Sequence, residues 1–124
     1  MTVLVIDDDP VIRHAYSHYL EHKGYTVFQA ENGRLGLDKL THNAGITKVI
    51  LDATMLEMDA FVFLQHVQAD ATFNDRHPDI YFVTSWDIDH VKKYLHRDNI
   101  DQRNVKEIFK KPIDLEMLLT MLQS

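Results

Sequence analysis

A chain of 124 residues has the size of one ordinary domain and can bury a real core. Its net charge of −6 argues against nucleic-acid binding, because a phosphate backbone attracts a basic surface. No apolar run is long enough to span a membrane or serve as a signal peptide, and the lack of cysteine excludes disulfides and thiolate chemistry and suits the cytoplasm.

Val3-Leu4-Val5-Ile6 reads as a short buried strand, followed by Asp7-Asp8-Asp9-Pro10. Asp9 suits a helix cap and Pro10 the first helical turn; the helix is predicted to run to about Lys23 and stop at Gly24. Ile12, Ala15, Tyr16, Tyr19 and Leu20 share one face by helical spacing, and His14, His18 and His22 share the opposite one. Tyr25–Ala30 reads as the second strand, and Asn32-Gly33 opens a helix carrying Leu37 and Leu40. Thr47–Asp52 is the third strand, an apolar run that ends in a single carboxylate, Asp52. A loop through Asp59 leads to a helix from about Ala60, with Phe61, Leu64 and Val67 in register. A polar turn, Asn74 to Pro78, precedes the fourth strand, Ile80–Thr84, and Asp87 starts a helix with Ile88, Val91 and Leu95 at helical spacing. After a polar loop from Arg97 to Asn104, Val105–Lys110 is the fifth strand, less apolar and so predicted at a sheet edge. Lys111-Pro112 ends it and is a candidate cis peptide, X-Pro being the bond where that form is accessible. Asp114 caps a last helix from Leu115 to about Leu122, with more apolar residues than one core face needs; Met117 and Met121 either pack at the core edge or face a partner. Strands and helices that alternate in this way specify an α/β fold: a parallel sheet with helices on both faces.

The groups able to do chemistry fall at strand ends. Asp7 and Asp8 follow the first strand, Asp52 ends the third, Thr84 the fourth, and Lys111 follows the fifth. In a parallel sheet those ends lie on one edge, where ligands bind in open α/β folds. Three carboxylates so gathered repel one another, and one ammonium does not neutralise them. A hard divalent cation with oxygen ligands, Mg2+ or Mn2+ in its place, completes such a site and leaves room for a phosphoryl oxygen. The His14/His18/His22 stripe has a spacing that can bind zinc, but it opposes the apolar face and reads as a solvated surface.

In Val5-Ile-Asp-Asp-Asp-Pro10, Asn32-Gly33, Leu51-Asp52 with Met55 and Met58-Asp59, Val83-Thr84-Ser85 and Lys111-Pro112, the chain resembles a response-regulator receiver domain of two-component signalling over essentially all of its length, 1–124. The resemblance implies a flavodoxin-like doubly wound sheet of strand order 2-1-3-4-5. It implies a signalling domain, not an enzyme acting on outside substrates. Asp52 would be the phosphoacceptor, taking a phosphoryl group from a phosphohistidine on a sensor histidine kinase or a histidine phosphotransfer protein. Asp8, Asp52 and the backbone carbonyl of Thr54 would ligate Mg2+, with Asp7 acting mainly through water. Lys111 would pair with Asp52 and then with the phosphoryl oxygens, and Thr84 would hydrogen-bond the phosphoryl group and draw its loop inward. The face around the fourth and fifth helices is a candidate surface for a downstream protein or a homodimer. No output segment is expected after it: as a complete chain the domain would act through another protein or as a relay, and as a piece of a longer one its output would lie elsewhere.

Some residues depart from the family pattern. Leu56 stands where proline is usual, Ala60 where glycine is usual, and Ile108 where the family has its switch Tyr or Phe. The customary Ala-Gly pair before the fifth strand is absent, and Trp86 and Thr54 occupy positions that in the family tune removal of the phosphoryl group by water. These departures motivate one alternative, a receiver fold used as an adaptor without phosphorylation. A second is a Mg2+-dependent phosphohydrolase with an aspartyl nucleophile. Such enzymes usually carry another Asp two residues on, where this chain has Thr54.

Overall fold

The structure is a computed structural model, and it describes residues 1–52, 60–69, 78–97 and 104–123. The elements are β1 (Thr2–Ile6), α1 (Pro10–His22), β2 (Thr26–Ala30), α2 (Gly33–His42), β3 (Ile46–Leu51), α3 (Ala60–Ala69), β4 (Asp79–Thr84), α4 (Ile88–Arg97), β5 (Val105–Lys110) and α5 (Leu115–Gln123). The five strands form one parallel sheet in the order β2-β1-β3-β4-β5, as expected from the resemblance. The less apolar β5 is indeed an edge strand. The third strand begins at Ile46, which pairs with Thr2, and ends at Leu51, so Asp52 is the first residue beyond it.

The central strands are apolar because both faces are covered. Leu4, Ile6, Val49, Leu51, Ile80 and Phe82 point toward Leu40 of α2, Phe63, Leu64 and Val67 of α3, and Val91 and Leu95 of α4. Val3, Val5, Ile50, Tyr81 and Val83 point the other way, toward Tyr16 and Leu20 of α1 and Leu118, Met121 and Leu122 of α5. Period-2 alternation along each strand generates both cores.

Local signals set the helix ends. Asp9 caps α1, its Oδ1 accepting the Val11 N–H at 2.9 Å, and Asn32 caps α2 by accepting from Leu35 at 2.8 Å. Gly24, with φ of 98°, supplies the left-handed residue after α1. Asp114 accepts from Met117 N–H at 2.7 Å and caps α5. Within α5, Met121 is buried and Met117 is exposed, so only the first belongs to the core. The face of α1 differs from the spacing argument at two positions: Ala15 is exposed and Ser17 is buried. Ser17 tolerates this because its hydroxyl donates to the Arg13 carbonyl at 2.7 Å.

α2 passes close over β1 at Gly36. A Cβ there would collide with Cδ1 of Ile6 and lie 3.1 Å from its Cγ1, with Phe63 at 3.4 Å. Ile6 and Phe63 are fully buried and have little room to yield. Gly36→Ala gains about 1 kcal/mol of helix propensity and overpacks the core at a cost of about 1–3 kcal/mol. A net loss of stability is expected, read as a lower urea midpoint with an unchanged slope.

One buried charge lies at the opposite end of the sheet from the strand-end carboxylates. Lys48 donates to the Tyr81 hydroxyl at 3.1 Å and lies 3.5 Å from Asp79, which Lys106 approaches at 3.7 Å. Burial works to lower the Lys48 pKa, but the hydrogen bond to Tyr81 and the charges of Tyr81 and Asp79 outweigh it, and the net direction is upward. The folded state therefore holds this proton more tightly than the unfolded chain. That stability is complete below the ordinary lysine value of about 10.4 and is lost as pH rises through the higher folded value. Lys48→Met is expected to lose less stability than wild type between about pH 9 and pH 12, read from urea midpoints across that window.

Candidate functional site

Four strands deliver the candidate residues to one edge, each held in place by the last bond of a ladder. The Asp7 N–H donates to the carbonyl of Ala30, which ends β2, at 3.1 Å; that of Asp52 donates to Ile6, which ends β1, at 3.1 Å; and that of Lys111 donates to Thr84, which ends β4, at 2.6 Å. Asp7, Asp52 and Lys111 thus each come directly after a strand, and Thr84 is the last residue of one. Asp7 and Asp52 flank the point between β1 and β3 where the chain order reverses, the usual binding crevice of doubly wound sheets.

Asp7 and Asp52 are buried and Asp8 is exposed. One carboxylate oxygen from each lies within 4.8 Å of the others. At that separation two unit charges repel by about 3 kcal/mol or more for an effective dielectric near 20. The Lys111 ammonium answers part of this charge, 2.8 Å from Asp7 Oδ2 and 3.4 Å from Asp52 Oδ2. The expected partner was Asp52, yet the shorter contact is with Asp7. Burial works to lower the Lys111 pKa; the hydrogen bond to Asp7 and the charges of Asp52 and Asp7 prevail and raise it. The lysine therefore stays charged throughout the neutral range. The Lys111-Pro112 peptide is cis.

Asp7 is tied on both sides. Its second oxygen accepts the Asp9 N–H at 2.9 Å, and its backbone carbonyl accepts from Arg13 Nη1 at 2.9 Å. Arg13 is a member of the site's surroundings that the sequence reading missed; its signal is a basic residue one helical turn past the cap that follows the aspartate run. Burial pushes the Tyr16 phenol pKa up, while Lys111 lowers it and Asp7 and Asp52 raise it, so this ring also borders the charge cluster. Thr84 is fully buried, and its Oγ1 accepts the Trp86 N–H at 3.1 Å.

Asp7, Asp8, Asp52, Thr84 and Lys111 thus meet at one edge. Thr54 and Leu56 lie outside the described residues. Ala60 is buried at the start of α3, and Ile108 is half-buried against the core shared by α2, α3 and α4. His14, His18 and His22 are exposed, and among the described residues they join no group of three close ligand atoms. No helix among the described residues is long and apolar enough to cross a membrane.

The sequence model of the response regulator receiver domain matches residues 3–123. The chain belongs to that family. Receiver domains are signalling domains. Chemotaxis protein CheY4 of Vibrio cholerae superposes with a TM-score of 0.82 at 28% identity, covering 98% of this chain and 95% of that one. A cyclic di-GMP phosphodiesterase of Thermotoga maritima is 28% identical over 120 residues, 95% of this receiver domain but 29% of the relative. The chain therefore spans less than a third of that relative's length. The response regulator TrrA of Thermotoga maritima, in complex with Mg2+–BeF, shares the fold at a TM-score of 0.77 and 24% identity, covering 98% of this chain and 96% of that one.

Proposed function

We propose that this receiver domain accepts a phosphoryl group on Asp52 from a phosphohistidine of a sensor histidine kinase or histidine phosphotransfer protein and switches a protein-interaction surface in response. The observation that carries the reading is the pair of buried carboxylates, Asp7 and Asp52, sharing one ammonium, Lys111, beside the exposed Asp8. Among the described residues one ammonium, Lys111, contacts two of these three carboxylates, which leaves an excess of negative charge, and these oxygen donors suit a hard divalent ion. Asp7, Asp8 and Asp52, with the Thr54 carbonyl, would hold Mg2+, or Mn2+ in its place. When bound, the ion supplies neutralisation of the phosphoryl oxygens. A complex of a fold relative with Mg2+–BeF supports this choice.

In the proposed reaction an Asp52 carboxylate oxygen attacks phosphorus and forms the acyl phosphate bond. The histidine N–P bond breaks, and its electron pair returns to the imidazole nitrogen. Such transfer depends on in-line positioning and charge stabilisation more than on covalent help from the protein. Lys111, already between Asp7 and Asp52, then follows the charge onto a phosphoryl oxygen. Thr84 turns its O–H toward another. A cytoplasmic location agrees with such a donor, and the face of α4, β5 and α5 is the proposed contact for a downstream protein or a second copy.

Incubation with Mg2+ and acetyl phosphate, followed by intact mass measurement, tests the reading. A gain of one phosphoryl group that chelation of the metal prevents is expected. No gain, under conditions that label another receiver domain, would favour the unphosphorylated adaptor. Sustained turnover of small phosphate esters, abolished in Asp52→Asn, would favour the phosphohydrolase.

A further inference from the structure

The buried Thr84 hydroxyl is tied to a cluster of rings. Its oxygen accepts the backbone N–H of Trp86, the single tryptophan of the chain, at 3.1 Å. The Trp86 indole packs against Phe61 of α3 with centroids 6.2 Å apart, and against two rings of α4, His90 at 4.7 Å edge-on and Tyr94 at 5.5 Å. These neighbours also touch one another, Phe61 to Tyr94 at 5.3 Å and His90 to Tyr94 at 5.0 Å. Phe61 continues to Phe82 of β4 at 6.1 Å, and the Arg97 guanidinium lies 4.1 Å over the Tyr94 ring. Ile108 on β5 packs against the same core and has no ring to offer.

We propose that Trp86 is a positioning residue for Thr84, and that the Phe61–Trp86–Tyr94–His90 cluster carries Thr84's movement into α4 by a route that does not need a ring on β5. The inference rests on the phosphoacceptor reading. A hydroxyl has one O–H to donate and lone pairs to accept with. In the present arrangement Thr84 accepts from Trp86 two residues ahead, which fixes the bend between β4 and α4. In the proposed switch the buried Thr84 side chain turns to bring its O–H to a phosphoryl oxygen on Asp52. If the bond from Trp86 is kept, the Trp86 backbone follows and carries with it the indole packed against Phe61 of α3 and His90 and Tyr94 of α4; if it breaks, the tie that fixes the bend is lost. Packed clusters shift between discrete arrangements and do not deform continuously. Among the described residues α4 supplies two of the three rings against that indole, so it is the element that moves with it.

The test uses the whole chain with Mg2+ and beryllium fluoride as the probe, and intact mass after Mg2+ and acetyl phosphate as a separate measure of labelling. In wild type, Trp86 emission is expected to change in intensity and wavelength, and amide hydrogen exchange is expected to change along residues 88–97. Tyr94→Leu, which alters the cluster away from the carboxylates, is expected to keep the emission change and lose most of the α4 exchange change. His90→Ala, at an exposed position, is the milder variant and is expected to reduce the same exchange change. Ile108→Val is expected to keep both signals. Thr84→Ser, which retains the hydroxyl, is expected to keep both, and Thr84→Ala to lose both. A labelled wild type with unaltered Trp86 emission would overturn the inference and leave the phosphoacceptor reading standing. A full α4 response in both Tyr94→Leu and His90→Ala would do the same. A wild type that gains no phosphoryl group by mass would remove the phosphoacceptor reading and this inference together.

Discussion

Asp52→Asn is expected to take up no phosphoryl group while folding at least as well as wild type. The amide cannot serve as the nucleophile for an acyl phosphate, and the neighbouring Asp7 and Asp8 stand at a different strand end. The substitution also removes one of the carboxylates gathered within 4.8 Å, which relieves repulsion of about 3 kcal/mol at an effective dielectric near 20. Lys111 keeps its shorter contact, 2.8 Å to Asp7, so its ammonium is not stranded. Intact mass after acetyl phosphate and a thermal melt together check the result. A labelled Asp52→Asn protein would show that another group accepts phosphate. A melt far below wild type would show that Asp52 is principally a structural ion-pair partner.

Lys111→Ala has the second large effect, and it acts on stability and response more than on labelling. Removing one partner of a buried ion pair leaves an uncompensated charge and costs about 3–5 kcal/mol. Here two buried carboxylates, Asp7 and Asp52, lose their shared ammonium. A fall in stability on that scale is expected in metal-free buffer, with Mg2+ restoring more stability to the variant than it adds to wild type, because a ligand that binds only the folded state stabilises it by mass action. Asp52 keeps its nucleophilic oxygen, so the variant is expected to be labelled. It lacks the cation that follows the phosphoryl group, so its change in Trp86 emission is expected to be much reduced. Emission changes identical to wild type on phosphorylation would contradict the role given to Lys111.

The architecture was legible in the sequence because its determinants are local. Val49-Ile50-Leu51 is an apolar run of the kind that a strand covered on both faces carries, and Asp52 after it marks the edge. Asp9, Asn32, Gly24 and Asp114 punctuate the helices by short-range hydrogen bonds and one left-handed turn. The gathering of Asp7, Asp8, Asp52, Thr84 and Lys111 follows from strand ends in a parallel sheet and needs no side-chain detail. The pairings were not legible. Lys111 meets Asp7 across a separation of 104 residues, and Lys48 meets Tyr81 across 33. Such contacts depend on which side chains the register brings face to face, which a run of apolar residues does not encode. The Trp86 cluster was hidden for the same reason: Phe61 precedes Trp86 by a helix and a strand, and only the packing of α3 beside α4 brings the rings together. Ala15 and Ser17 show a smaller limit, since a helical wheel locates the centre of a buried face better than its margins.

The residue that carries the acyl phosphate can be read chemically. Protein treated with Mg2+ and acetyl phosphate can be reduced with borohydride, which converts a phosphorylated aspartate to homoserine, and the altered residue located by fragmentation of its peptide. The expected result is homoserine at position 52 alone, dependent on Mg2+. Homoserine at position 7 or 8, or none in a protein that has gained a phosphoryl group by mass, would contradict the assignment of Asp52 as the phosphoacceptor.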